Sequence, residues 1–315
     1  MAGFRLTPYA FRLIPFKTTN NLIYLIGSIV LTSYLTLSFK MLGRLNIPVL
    51  QAIVFNYWTC VAMGSVVNGH FPLGKQTLSE PWFMWSCIMG VIFFSLFNLV
   101  AFVTQRISVA VSSVANKLSL VIPFVFSLYL YNEQAGWLKI AGIVLALAAV
   151  LLTCWPQRKE DVPNARPLSI AMVFLLPALI FVGSGLLDTL IKYVEQSFLN
   201  ENNKDEYLIA SFATAASIGL LVLLALLATG REKFSGRAVL AGLAIGIPNY
   251  FSIWCLVRVL KEYQGESSAI IPVNNMGIVL FSTVMAWLLF RERLSATNRM
   301  GILLSLGAIA LIAFG

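Results

Sequence analysis

SVAVSSVANKLSLVIPFVFSLYLYNEQAGWLKIAGIVLALAAVLL, residues 108–152, and SSAIIPVNNMGIVLFSTVMAWLLFRERLSATNRMGILLSLGAIAL, residues 267–311, decide how this chain folds. In each stretch one long apolar run is joined to another through a short polar turn that carries a glutamate. At an offset of 159 residues Asn116 falls on Asn275, Glu133 on Glu292 and Gly142 on Gly301. From Gly142 to Leu152, six of 11 positions are identical. Apolar helices match by chance easily, so the flanking Asn and Glu carry more weight than the leucines. Slightly smaller offsets, 151 and 152, pair Asn98 with Asn249 and Lys40 with Lys192. The chain reads as a duplication.

The rest of the chain has the same character. Apolar residues make up 59% of 315 and charged residues 11%, against about 25% charged in soluble domains. A membrane span needs roughly 17–25 mostly apolar residues. Ten such runs are present, at 22–40, 48–67, 82–104, 108–131, 137–155, 169–191, 207–229, 237–260, 268–290 and 297–314. They are too long and unbroken for the alternating strands of an outer-membrane barrel. The expected fold is therefore an all-α integral membrane protein of about ten helices. Residues 1–21 read as an interfacial arm rather than a cleaved signal. Residues 22–155 form a first five-helix repeat, 156–168 a polar linker and 169–315 a second repeat. Five is odd, so the second unit enters the membrane from the opposite side. Inverted repeats of this kind are the architecture of alternating-access carriers, with substrate held near the midplane.

Function classes narrow accordingly. The net charge of +9 sits in short segments between apolar runs, where headgroups attract Lys and Arg. That excludes a nucleic-acid partner and implies lipid contact. Cys60, Cys87, Cys154 and Cys255 are isolated and His70 is the only histidine, so neither a metal nor a cofactor is expected and the cysteines read as packing residues. No GxGxxG, GxxxxGK[ST] or HExxH occurs, so transport would draw on an ion gradient or exchange. An enzyme acting on lipid-linked substrates would need clustered His, Asp or Glu, and the chain lacks the residues for one.

Ionisable groups inside a span are costly and mark function by default. Lys117 lies nine residues into the fourth run, about 13 Å deep at 1.5 Å per residue in a core of about 30 Å. It reads as a wall of the transport path, with packing against an acid as the alternative. Asp188 is its expected acidic partner; with Lys192 one turn later it forms a local ion pair or a coupling site. Asn116, Ser113, Asn98, Asn249, Asn274 and Asn275 are polar groups that either hold helices together or contact substrate. Trp254 lies inside its span and either faces substrate or packs. Pro123 and Pro272 each free a carbonyl and bend their helices. Arg106, Arg258, Glu133 and Glu292 stand near span ends and read as interface anchors. Gly242 and Gly246 form a GxxxG that would allow close helix contact.

The two quoted copies, each with a polar helix start, a proline, a helix ending in Glu and a glycine-bearing final helix, resemble the EamA-type, ten-helix branch of the drug/metabolite transporter superfamily. The resemblance covers roughly residues 22–314. It implies two inverted five-helix bundles around a central cavity and export or import of small metabolites. The chain departs from the pattern where Ser282 stands near the position of Pro123, with Pro272 ten residues earlier, and where Met276 stands opposite Lys117. A cavity dominated by charge on one wall is expected. The function expected is a secondary transporter of a small polar, anionic or amino-acid-like metabolite, in a bacterial inner membrane, with a proton or sodium ion as candidate coupling ion. A broad-specificity exporter of apolar or cationic compounds, and a non-transporting receptor or scaffold, are the alternatives. Lys and Arg number nine on the side of the N-terminus and 12 on the other, which favours an outside N-terminus; the family resemblance implies a cytoplasmic one.

Overall fold

The structure, a computed structural model, describes residues 19–69, 71–131, 136–155, 169–200, 203–262, 267–292 and 294–314. The expected arm up to residue 18, the linker 156–168 and Glu133 lie outside them. The helices are α1 (Thr19–Arg44), α2 (Val49–Asn68), α3 (Phe83–Arg106), α4 (Val109–Leu118), α5 (Val121–Tyr131), α6 (Trp137–Thr153), α7 (Ile170–Phe198), α8 (Lys204–Ala228), α9 (Gly236–Glu262), α10 (Ser267–Phe290) and α11 (Ala296–Phe314), with a short 3₁₀ turn at Lys75–Ser79. Eight segments are long and apolar enough to cross a membrane, and α6 and α11 carry the two shorter apolar stretches, Ile140–Thr153 and Ala296–Ile312. Together they make the ten that hydropathy predicts.

The sequence supplies the ends of these helices. Ser108 and Ser169 cap α4 and α7 by accepting from the N–H of Val111 and Met172, satisfying amides that have no partner in the first turn. Gly69 ends α2 at φ 74°, a left-handed conformation that glycine adopts without a Cβ penalty.

The fourth apolar run is the main departure from expectation. It is not one bent helix but two, α4 and α5, separated at Ser119 and Leu120. Pro123 has no N–H to give the Ser119 carbonyl. That carbonyl instead accepts from Ile122 N at 2.9 Å. The Ser119 hydroxyl turns back onto the Asn116 carbonyl at 2.5 Å. Pro272, by contrast, lies early in α10, which continues unbroken to Phe290.

Helix packing is reciprocal in the way a five-plus-five arrangement requires. The α6–α11 pair is tightly apposed. A Cβ on Gly142 would stand 3.1 Å from the Ile312 nitrogen; on Gly301 it would press against Thr153 and Leu152. Gly301 is Gly142 shifted by 159, and Ile312 is Thr153 shifted by the same amount. The start of each helix therefore meets the end of the other, so the fifth and tenth spans run in opposite directions. The α3–α8 and α2–α9 pairs repeat the pattern. A Cβ on Gly90 would lie 2.9 Å from the Ala215 nitrogen, and one on Gly242, in the GxxxG, would lie 2.9 Å from the Ala52 carbonyl oxygen. Small residues at these crossings let backbones approach closely.

The core between the halves is aromatic at α2, α3 and α8. Phe93 stacks on Phe212 at 5.6 Å and Tyr57 leans on both, while its hydroxyl donates to the Phe93 carbonyl at 2.9 Å. The short α4 is buried along nearly its whole length and packs against α1, α3, α6, α7, α10 and α11.

Candidate functional site

The break between α4 and α5 is where chemistry collects. Lys117 occupies the last turn of α4, partly buried, with the α4 residues before Asn116 fully buried. Asp188 comes to it from α7, near enough for the two charges to act on each other. They form no direct ion pair with each other; ion pairs among the described residues include Lys40–Glu292 at 3.1 Å and Lys204–Glu195 at 3.3 Å. Ser119, in the same break, donates its hydroxyl to the Asn116 carbonyl. The charge that the structure brings toward Asp188 is thus Lys117, on another helix.

Asp188 is exposed, and its place on α7 shows to what. The lipid-facing stripe of α7 carries Leu175, Leu179, Val182, Leu186 and Tyr193. At about 100° per residue Asp188 lies nearly opposite that stripe, on the side of buried Pro177, Ile180 and Ser184. The carboxylate is thus exposed on the inward side of a spanning helix rather than on its lipid-facing stripe. The exposure continues toward the end of α7 at Lys192 and Glu195.

The other residues singled out from sequence take several places. Asn116 is partly buried beside Lys117. Asn274 and Asn275 are buried on α10, and the Asn274 side-chain oxygen has no hydrogen-bond partner. A buried acceptor of this kind costs free energy unless something meets it. Ser113 is fully enclosed where α4 crosses α10, its hydroxyl 3.0 Å from that of Ser282. Asn249 donates to the Asn56 side-chain oxygen at 3.1 Å, joining α9 to α2. Asn98 turns onto its own helix, donating to the Phe94 carbonyl at 2.8 Å. Trp254 packs edge-on to Tyr24 and Phe251, with the Arg258 guanidinium 4.7 Å above its ring. Of the sequence candidates, then, Lys117, Asn116 and Asp188 meet at the break. Asn98, Ser113, Asn249 and Trp254 make helix contacts.

A second polar cluster was not foreseen as one. Lys40, at the end of α1, pairs with Glu292 and donates to the Thr104 carbonyl at 3.1 Å. Both Glu292 oxygens accept from Val109 N–H at 3.2 Å, at the start of α4. Gln105 donates to the Phe39 carbonyl at 2.8 Å. These bonds tie the ends of α1 and α3 and the start of α4 to the α10–α11 junction, closing one end of the molecule across the two repeats. The only sequence signal was the repetition of Glu133 at Glu292 and of Lys40 at Lys192. At the opposite end α7, the counterpart of α1, packs against α3, α4 and α5, as α1 packs against α9 and α10.

The comparisons agree with this architecture. An uncharacterized protein of Haemophilus influenzae is 27% identical over 299 residues, covering 92% of this chain and 96% of its own. A protein of known crystal structure, 17% identical, superposes with a TM-score of 0.59 over 93% of this chain and 96% of that one, so the two share a fold. Residues 19–155, which contain α1 to α6, the helix break and Lys117, match the EamA-like transporter family, so the first half of this multi-pass membrane protein is similar to that family.

Proposed function

We propose that the protein is a secondary transporter that moves a small polar metabolite, anionic or amino-acid-like, by alternating access between two five-helix units, residues 22–155 and 169–315. One observation carries this reading. Lys117 and Asp188 are opposite charges at a helix break in the centre of the molecule, and neither closes on the other. A substrate carboxylate or phosphate fits Lys117, Asn116 adds hydrogen bonds beside it, and an ammonium group on the same molecule fits Asp188. Asn274, with its unused acceptor, is a further contact from the second unit. The break leaves backbone polar groups beside the charges, a form in which carriers hold ions and substrates.

The two ends support alternating access. One is closed by the Lys40–Glu292 cluster; toward the other, α7 exposes Asp188, Lys192 and Glu195. Exchange of these roles between pseudo-symmetric ends would carry the centre from one side to the other. Energy would come from a gradient or from exchange, with Asp188 the group to carry a coupling proton or sodium ion. The Haemophilus relative supports a bacterial inner membrane. A transporter of this design does no bond chemistry, and we read the protein as no enzyme.

The test is uptake into liposomes of radiolabelled amino acids, organic anions and organic cations. Lys117→Ala removes a charge-assisted contact of about 1.5–3 kcal/mol, so apparent affinity for an anionic or zwitterionic substrate falls roughly ten- to a hundredfold. Asp188→Asn lowers uptake of zwitterions more than of simple anions. Anion uptake unchanged by Lys117→Ala overturns the proposal. Cation uptake that survives Lys117→Ala and is lost in Asp188→Asn supports the broad-specificity exporter, for which the mutual influence of the two charges speaks.

A further inference from the structure

A cavity of about 700 Å³ lies away from Lys117, on the outer face of the bundle. It runs along α1 between α9 and α10. Tyr34 and Met41 of α1 and Leu45 just after it are exposed in it, as are Leu240 of α9 and Leu289 of α10, so the groove opens sideways, toward lipid. Its volume is within the range of ordinary ligand pockets, about 300–1,000 Å³. Below it a second hollow continues the same path, sharing Val30 and Phe281. From Leu45 to Val30 the groove follows α1 for about 22 Å at 1.5 Å per residue. That exceeds one leaflet, half of a hydrocarbon core of about 30 Å.

Apart from Ser38 and the Tyr34 hydroxyl the lining is apolar until one end, where Arg237 enters it. Arg237 donates to the Leu45 carbonyl at 3.3 Å, and a guanidinium has further donors to offer. Arg44 is adjacent, donating to the Phe290 carbonyl at 2.7 Å. Arg231 and Lys233 precede α9 at the same end of the molecule. The acids there are engaged: Glu232 accepts from Gln51 at 3.0 Å and Glu292 pairs with Lys40. The mouth of the groove is therefore cationic and its length apolar.

We propose that this groove is a binding site for an anionic phospholipid, with one acyl chain lying along α1 between α9 and α10 and the headgroup phosphate held by Arg237 beside Arg44. The match is one of chemistry along a single axis. Apolar wall extends through a leaflet and ends at headgroup depth in a bidentate phosphate donor. Neither Lys117 nor Asp188 lines the groove, and the site does not depend on the identity of the cargo.

The experiment uses the full chain in nanodiscs of phosphatidylcholine with or without phosphatidylglycerol, and counts lipids retained after gentle detergent release by native mass spectrometry. Wild type retains phosphatidylglycerol in preference to phosphatidylcholine. Arg237→Gln lowers that retention roughly fivefold, the ratio given by about 1 kcal/mol per basic residue at an anionic surface. Ala244→Trp, which fills the groove, lowers retention of both lipids. Arg231→Gln, on the same surface but outside the groove, leaves retention unchanged. Thermal unfolding in phosphatidylcholine alone shows whether each variant is folded. Equal retention of the two lipids by wild type, or equal losses in Arg237→Gln and Arg231→Gln, overturns the site.

Discussion

If the Lys40–Glu292 cluster holds one end shut, Lys40→Met must open it by a calculable amount. The pair stands at 3.1 Å with side chains 18% and 12% exposed. A fully buried pair that loses one partner costs about 3–5 kcal/mol, and a surface pair at most about 1 kcal/mol. Lys40 also leaves the Thr104 carbonyl, while Glu292 keeps the Val109 N–H at the positive end of α4. Those terms place the loss near 2 kcal/mol, about a 30-fold change in the ratio of open to closed. Ser112 is the natural reporter. It lies one turn inside Val109, is 0% exposed, and its hydroxyl has no partner. In a background without the four native cysteines, Ser112→Cys is sheltered in the closed state and meets a membrane-impermeant maleimide only on opening. Its labelling rate in liposomes should rise roughly 30-fold with Lys40→Met, and far less with Lys40→Arg, which keeps a donor for Glu292 and the Thr104 carbonyl. A labelling rate unmoved by Lys40→Met means that the pair braces the fold without gating it.

Three substitutions test the packing. Gly301→Val sets side-chain atoms against Thr153 and Leu152 and should lower stability by about 1–3 kcal/mol, read as an earlier thermal midpoint in detergent. Gly307→Ala is the contrast: a Cβ there meets only Leu145, at 3.6 Å, and the gain in helix propensity of up to about 1 kcal/mol should leave the midpoint equal or higher. Asn249→Ala removes the bond to Asn56 at 3.1 Å and should cost about 0.6–1.7 kcal/mol, with little further loss when Asn56→Ala is added.

The spans were legible because hydropathy acts on whole segments of about 20 residues, so small errors at the ends average out. The duplication was legible because Gly142 and Gly301 are required by the same backbone approach in both copies. The break at Ser119 was harder to read. A proline signals a missing N–H, but whether the chain bends or breaks depends on what takes up the freed carbonyl, here Ile122 N, with Ser119 itself turning back onto Asn116. The Lys40–Glu292 cluster was not legible as a unit. Each residue stands at a span end, where anchoring to the interface accounts for a charge equally well, and only folding brings α1 to the α10–α11 junction.

The two halves share a plan but not a chemistry, and the placement of one residue type separates them. Pro123 falls in the body of its run, so the first half has a broken helix with Lys117 at the break. Pro272 falls ten residues earlier in the corresponding run, so α10 stays whole and Met276 stands opposite Lys117. The second half contributes amides near the centre, Asn274 and Asn275, and the carboxylates Asp188 and Glu292. A symmetric pair of broken helices would present like charges to each other across the axis, and like charges there would repel. Asymmetry lets the first half hold the cation while the second provides its counter-charge and, at the closed end, the partner of Lys40. Lys40 of the first half thus pairs directly with Glu292 of the second, whereas Lys117 and Asp188 face each other across the halves without closing into an ion pair.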